Sequence, residues 1–261
     1  MPPELDLGRL TQAVDEVLDL VRNRLPEVEP AIRDWNDRLM VAAFARAYRC
    51  LRSVRELTHR AESEDAAVLT RALVSLTLQY LWLVRTDDEN ERRDRLLRLQ
   101  KKWAGERATF GEELIDLGYT PADEGTAAQF REDVVKFRTR ADDLGRQGIR
   151  RMPNERDIAL QLDRDLRPKA ERYFELLYSR AYRPTSHIAH YGIGAALGGV
   201  GERQDDDRVE LSLERTDEAA AAEMLGLALV TFATLLDVSE PILRHGLTEG
   251  VAEIVSAAHR G

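Results

Sequence analysis

A chain of 261 residues with a 43% hydrophobic fraction can bury a real core, so it needs no disulfide or metal staple. Its single cysteine, Cys50, excludes a disulfide framework and a cysteine-built metal site. A net charge of −9 argues against a general nucleic-acid coat protein.

Charged residues make up 33% of the chain with both signs interleaved, as on the solvated faces of amphipathic helices. No basic region followed by an apolar run opens the sequence, so the expectation is a reducing, cytoplasmic location.

Taken in order, Asp6 caps a first helix whose Leu7, Leu10, Val14, Val17, Leu18, Val21 and Leu25 recur at spacings of three and four, and Pro26 stops it. A second helix presents Met40, Phe44, Ala47, Leu51 and Val54 on one face and runs to about Arg60. Ser63, Glu64 and Asp65 start a third, apolar on nearly all sides from Leu69 to Val84. Thr86 to Glu89 reads as a capping box opening a fourth helix, and Gly118 ends that segment. Thr120 and Pro121 start a fifth, with Phe130, Val134, Phe137, Ala141 and Leu144 as its stripe and Gly145 closing it.

The basic connector 146–153 leads to a short helix capped by Asn154, and Pro168 starts the next. Pro184 interrupts that helix, which either kinks or restarts there. Residues 198–208 read as a loop, and Val209, Leu211 and Leu213 alternate with polar residues as one short strand. Thr216 caps a strongly apolar helix to about Val238, and Ser239 with Pro241 starts the last one.

The expected fold class is all-α: a bundle of about ten helices with at most one short strand or hairpin near 208–214. It forms one domain over 1–261, in which an N-terminal helical segment (1–145) packs on a C-terminal helical segment (154–261). The apolar runs 66–84 and 224–236 are read as core helices rather than membrane spans, the first holding Arg71 and Gln79 and the second being too short.

Groups able to do chemistry gather in the stretch from Tyr178 to Gly192. On a continuous helix Tyr182, Ser186 and His190 share one face at i, i+4 and i+8. Arg183 and His190 are seven apart, as are Arg180 and His187, so each arginine can stand beside a histidine about two turns on. A histidine can exchange protons near neutrality, and an arginine can brace a phosphate with its forked donors. Together they suit attack by a ribose 2′-hydroxyl on the adjacent phosphate without a metal ion.

An arginine, four to six residues and a histidine, late in an all-helical domain, resembles the motif of HEPN-type domains. Here polar residues are missing directly after the arginines, where Pro184 and Ala181 stand. The run from Tyr182 through Ser186 and His190 to Gly192 also resembles a bacterial helical family of undefined function. In that family an earlier helix carries an arginine and an acid; Arg71 to Ser75 is the counterpart, with Ser75 where the acid is expected.

The resemblance implies a dimeric, metal-independent ribonuclease of toxin or phage-defence type, acting on RNA. His190 would be the acid/base and Arg183 the brace. Ser186, Tyr182 or Arg180 would orient them, and His187 would be the reserve histidine. The competing expectation is a non-catalytic scaffold or sensor for a protein partner, using the apolar C-terminal helices and the acidic loop. No metal site is expected at His187-x-x-His190, which lacks a completing acid or cysteine nearby, and no cofactor is expected. The basic run 89–102 is read as a solvated face rather than an RNA-binding one.

Overall fold

The structure is a computed structural model. It describes residues 5–259 except 28, 31, 33–34, 61, 87, 120, 122, 167–171, 190–199, 203–208 and 212–216, and it describes only the backbone of 27, 35–36, 183–189, 200–202 and 209–211. Among the described residues the architecture is all-α with one small hairpin. The helices are α1 (Leu7–Arg24), α2 (Trp35–His59), α3 (Ser63–Val84), α4 (Glu89–Asp116), α5 (Glu124–Arg146), α6 (Glu155–Leu166), α7 (Tyr173–Ala189), α8 (Glu218–Leu243) and α9 (Thr248–Ala258). Strands β1 (Val200–Glu202) and β2 (Val209–Leu211) pair antiparallel, with Gly201 opposite Glu210. The expected strand therefore has a partner at 200–202, where a loop was expected.

Contacts divide the chain into two units: residues 1–81 with 155–261, and residues 82–154.

The first unit is built around α8, which has buried side chains on all sides, from Ala221 to Leu243. Helices α1, α2, α7 and α9 pack on it. Phe44 of α2 meets Phe232 of α8 with ring centroids 5.6 Å apart. Helix α1 buries Leu10, Val14, Val17, Leu18 and Val21, the same stripe that its periodicity marks. Its cap is as expected: the Asp6 carboxylate accepts from Arg9 N–H at 3.1 Å. Helices α3 and α8 are each long and apolar enough to cross a membrane by composition, with mean hydropathies of 1.5 and 1.9 in their most apolar windows. Those windows are 56% and 61% buried inside the protein, which a core helix also satisfies.

Several helix ends differ from expectation. Helix α8 does not stop near Val238; it runs through Pro241 to Leu243. The missing proline donor would have bonded the carbonyl of Asp237, an exposed position where water can replace it. A buried polar cluster sets the end instead. Ser239 Oγ donates to Leu236 O at 2.7 Å and lies 3.0 Å from Nε2 of His245, and Leu247 N–H donates to Nδ1 of His245 at 3.1 Å. The chain then leaves the helix through left-handed Arg244 (φ 51°) and Gly246 (φ 65°).

Helix α4 is capped by Asp88 rather than Thr86, with its carboxylate accepting from Asn90 N–H at 2.8 Å. Helix α5 begins at Glu124, where Asp123 accepts from Thr126 N–H at 2.8 Å, rather than at Pro121. In both cases a nearby aspartate out-competes the threonine, being charged and directed at the positive helix end. Left-handed Gly148, at φ 76°, follows α5, rather than Gly145 closing it. The expected starts at Pro168 and Thr216 lie outside the described residues.

The second unit is an antiparallel helix hairpin, α4 against α5. Much of its basic run is committed internally. Arg95 bonds Glu91 at 2.5 Å and the carbonyls of Trp82 and Arg85, Arg98 pairs with Asp94, and Arg92 donates to Thr86 O at 2.8 Å. Lys101 donates to Ile149 O.

Candidate functional site

Helix α7 is anchored at its start by an acid from the preceding helix. The Asp163 carboxylate of α6, itself buried, accepts the N–H groups of Phe174 and Glu175, both at 2.8 Å. These are donors that a helix start leaves without internal partners. Tyr173, the first residue of α7, shares a 3.0 Å hydroxyl bond with Thr234 of α8. The helix then runs without a break through Pro184 to Ala189, neither ending nor restarting there. Thus Arg180, Tyr182, Arg183, Ser186 and His187 all stand on one helix, as the spacing requires. His190 lies outside the described residues, as do the side chains of Arg183, Ser186 and His187.

Two of the six candidate residues can be placed by their side chains, and they face different ways. Tyr182 stacks on Tyr178 with centroids 4.8 Å apart, and Arg71 of α3 sits over the Tyr182 ring, its guanidinium carbon 3.9 Å from the centroid. Arg180, two residues earlier and so about 200° around the axis, is exposed. It borders a cavity of ≈ 220 Å³ formed with Leu176, Leu177, Leu227 and Val230. The Tyr182 side of α7 is therefore one that meets α3.

On α3, Arg71, Ser75 and Gln79 follow one another at i, i+4 and i+8. Glu155, the first residue of α6, closes on this row. Its Oε1 accepts from Ser75 Oγ at 3.2 Å and from Gln79 Nε2 at 3.0 Å, and Gln79 also donates to Ser75 Oγ at 3.2 Å. An acid therefore does stand beside Ser75, contributed by α6 and hydrogen-bonded to the serine. Nothing in the sequence marked Glu155 as a partner of Ser75 and Gln79, because it reads as an ordinary first-turn acid.

Arg71 is the least satisfied member. Its Nη1 is buried with no hydrogen-bond partner among the described residues. A guanidinium stacked on a ring keeps its in-plane donors available, which is the arrangement used to hold planar or tetrahedral oxyanions.

Ser239, His245 and Glu240 also have the connectivity of a hydroxyl–imidazole–acid relay, with Glu240 Oε2 2.6 Å from Nδ1 of His245. Ser239 and His245 are both at 0% exposure and Ser239 donates to a backbone carbonyl, so the trio clamps the end of α8 and is not a nucleophile. No group of three or more potential ligands that could hold a metal occurs among the described residues.

Residues 37–208, about two-thirds of the chain, match a family of unknown function (DUF5677). No curated protein and no solved structure matches the chain.

Proposed function

The chain belongs to the DUF5677 family, and for it we propose a metal-independent, HEPN-like endoribonuclease of toxin or phage-defence type centred on α7. The observation that carries this reading is Arg71. It brings a stacked guanidinium with an unpartnered buried donor against Tyr182, one residue before Arg183 and eight before His190. That buried donor, held beside an aromatic face, is free to take an oxygen of an anion.

In the reaction, the imidazole of His190 takes the proton of a ribose 2′-hydroxyl as that oxygen attacks the adjacent phosphorus. It returns the proton to the departing 5′-oxygen, leaving a 2′,3′-cyclic phosphate. Arg183 and Arg71 hold the phosphate oxygens as negative charge builds on them. Tyr182 and Ser186 orient the groups, and Arg180 with His187 forms the reserve pair.

The test is cleavage of single-stranded RNA by purified protein in EDTA. The expected result is cleavage that His190→Ala slows by about 100-fold or more. Absence of cleavage, or equal cleavage by the His190→Ala form, overturns the assignment and favours the non-catalytic scaffold. In the scaffold reading that substitution shifts thermal stability alone.

A further inference from the structure

The seam between α4 and α5 is made of small residues. Ala104, Ala108 and Gly111 of α4 are buried, as are Ala127 and Val134 of α5. A Cβ added at Gly111 would stand 2.3 Å from Cγ2 of Val134, so the valine side chain occupies the space that glycine leaves open. Helices sealed by small side chains leave their large ones outside. Phe110 is 63% exposed and Trp103 is 49% exposed.

The outer residues are ordered. Trp103, Phe110 and Leu117 recur every seven residues at the surface of the α4 segment, and Phe130 and Phe137 do so on α5. That period is the one by which a helix presents a continuous seam to another helix. Trp103 and Phe137 meet edge to face at 5.1 Å, and the aromatic groove has a volume of ≈ 540 Å³.

We propose that this aromatic face of the α4–α5 hairpin docks on the same face of a second copy of the chain, completing a four-helix bundle. Charge selects the occupant. The groove is lined by Arg107 together with Glu106 and Asp133, so it carries both signs. A patch of one sign repels its own copy, whereas a mixed patch can pair with itself across a two-fold axis. A nucleic acid would require a predominantly basic surface. Size agrees: α4 has 28 residues and is about 42 Å long. Two helices about 10 Å wide side by side then offer roughly 800 Å² per partner, which is what a stable dimer buries.

The measurement is sedimentation velocity on the full chain over a concentration series. The wild type should run at dimer mass. Phe110→Glu and Trp103→Glu should each weaken the dimer at least about tenfold while keeping the wild-type helical circular dichroism, because both side chains line the groove and are about half exposed or more. Should a charged variant lose helicity, Phe110→Ser serves the same purpose. A wild type that stays monomeric throughout overturns the proposal, as does a dimer that survives both substitutions. So does a monomer whose hairpin face is held by a different co-purifying protein. The readout needs no RNA and is independent of the ribonuclease reading.

Discussion

Two arginines on consecutive helices face opposite circumstances. Arg95, on α4, is 3% exposed and well supplied with partners: the carboxylate of Glu91 and the carbonyls of Trp82 and Arg85. Arg71, on α3, rests its charge on the face of Tyr182 and leaves Nη1 with no partner among the described residues. Both came to the folded state at a desolvation cost. Arg95 recovers it through hydrogen bonds and thereby ties the start of α4 to the end of α3. Arg71 recovers less, and in the proposed reading its free donor takes a phosphate oxygen.

This contrast breaks most visibly on removing Arg95. Arg95→Met should cost about 2–3 kcal/mol in a denaturant titration, because two carbonyls lose their donor while Glu91 returns to water. Arg71→Ala should cost less than about 1 kcal/mol in the same titration, yet reduce RNA cleavage by about 100-fold. Arg71→Lys should not rescue cleavage, since an ammonium lacks the planar fork. Equal stability losses for Arg71→Ala and Arg95→Met, with cleavage intact in the first, would make Arg71 another structural arginine.

A smaller effect is expected at Asp163, whose carboxylate holds the first N–H groups of α7. Asp163→Ala should lower stability by about 1–2 kcal/mol. Because α7 carries the arginine–histidine motif, cleavage should fall in proportion to the unfolded fraction and no further. A loss of cleavage in fully folded protein would instead show that the cap sets the geometry of the site.

The smallest effect is one of pH. Hydrogen bonds from Arg95, and then from Thr86, hold the Glu91 carboxyl below the ordinary glutamate range. A carboxylate with a depressed folded value stabilises above its unfolded pKa, about 4.3, and that contribution is lost as pH falls through the folded value. The midpoint of thermal unfolding should therefore drop on acidification below about pH 4.3, and drop less in Glu91→Gln. Parallel curves for the two proteins would show that this ion pair contributes nothing.

Much of the fold was legible in the sequence because it rests on local rules. Period-3.6 stripes mark α1 and α2, and Asp6 caps α1 as its place just before the first apolar turn predicts. Errors came where one local signal met a stronger neighbour. Asp88 and Asp123 displaced threonine caps, and Pro241 failed to start a helix because the buried cluster of Ser239 and His245 sets the end of α8 further on. The sequence placed the candidate arginines, Tyr182, Ser186 and His187 on one helix, α7, whereas the row that α3 sets beside Tyr182 was only half legible. Arg71 and Ser75 could be named, but Glu155 lies 80 residues beyond Ser75 and no periodicity connects them.

By itself, then, the sequence determined the helical class, the apolar faces and the presence of an arginine–histidine helix, since each follows from spacing along one element. Tertiary structure alone decided that Tyr182 and Arg180 look away from each other, that α3 rather than α8 meets the Tyr182 face through Arg71, and that an acid from α6 stands beside Ser75. Those are facts about which elements become neighbours. Neighbours are chosen by the shared burial of many side chains at once, which no single stretch of chain encodes.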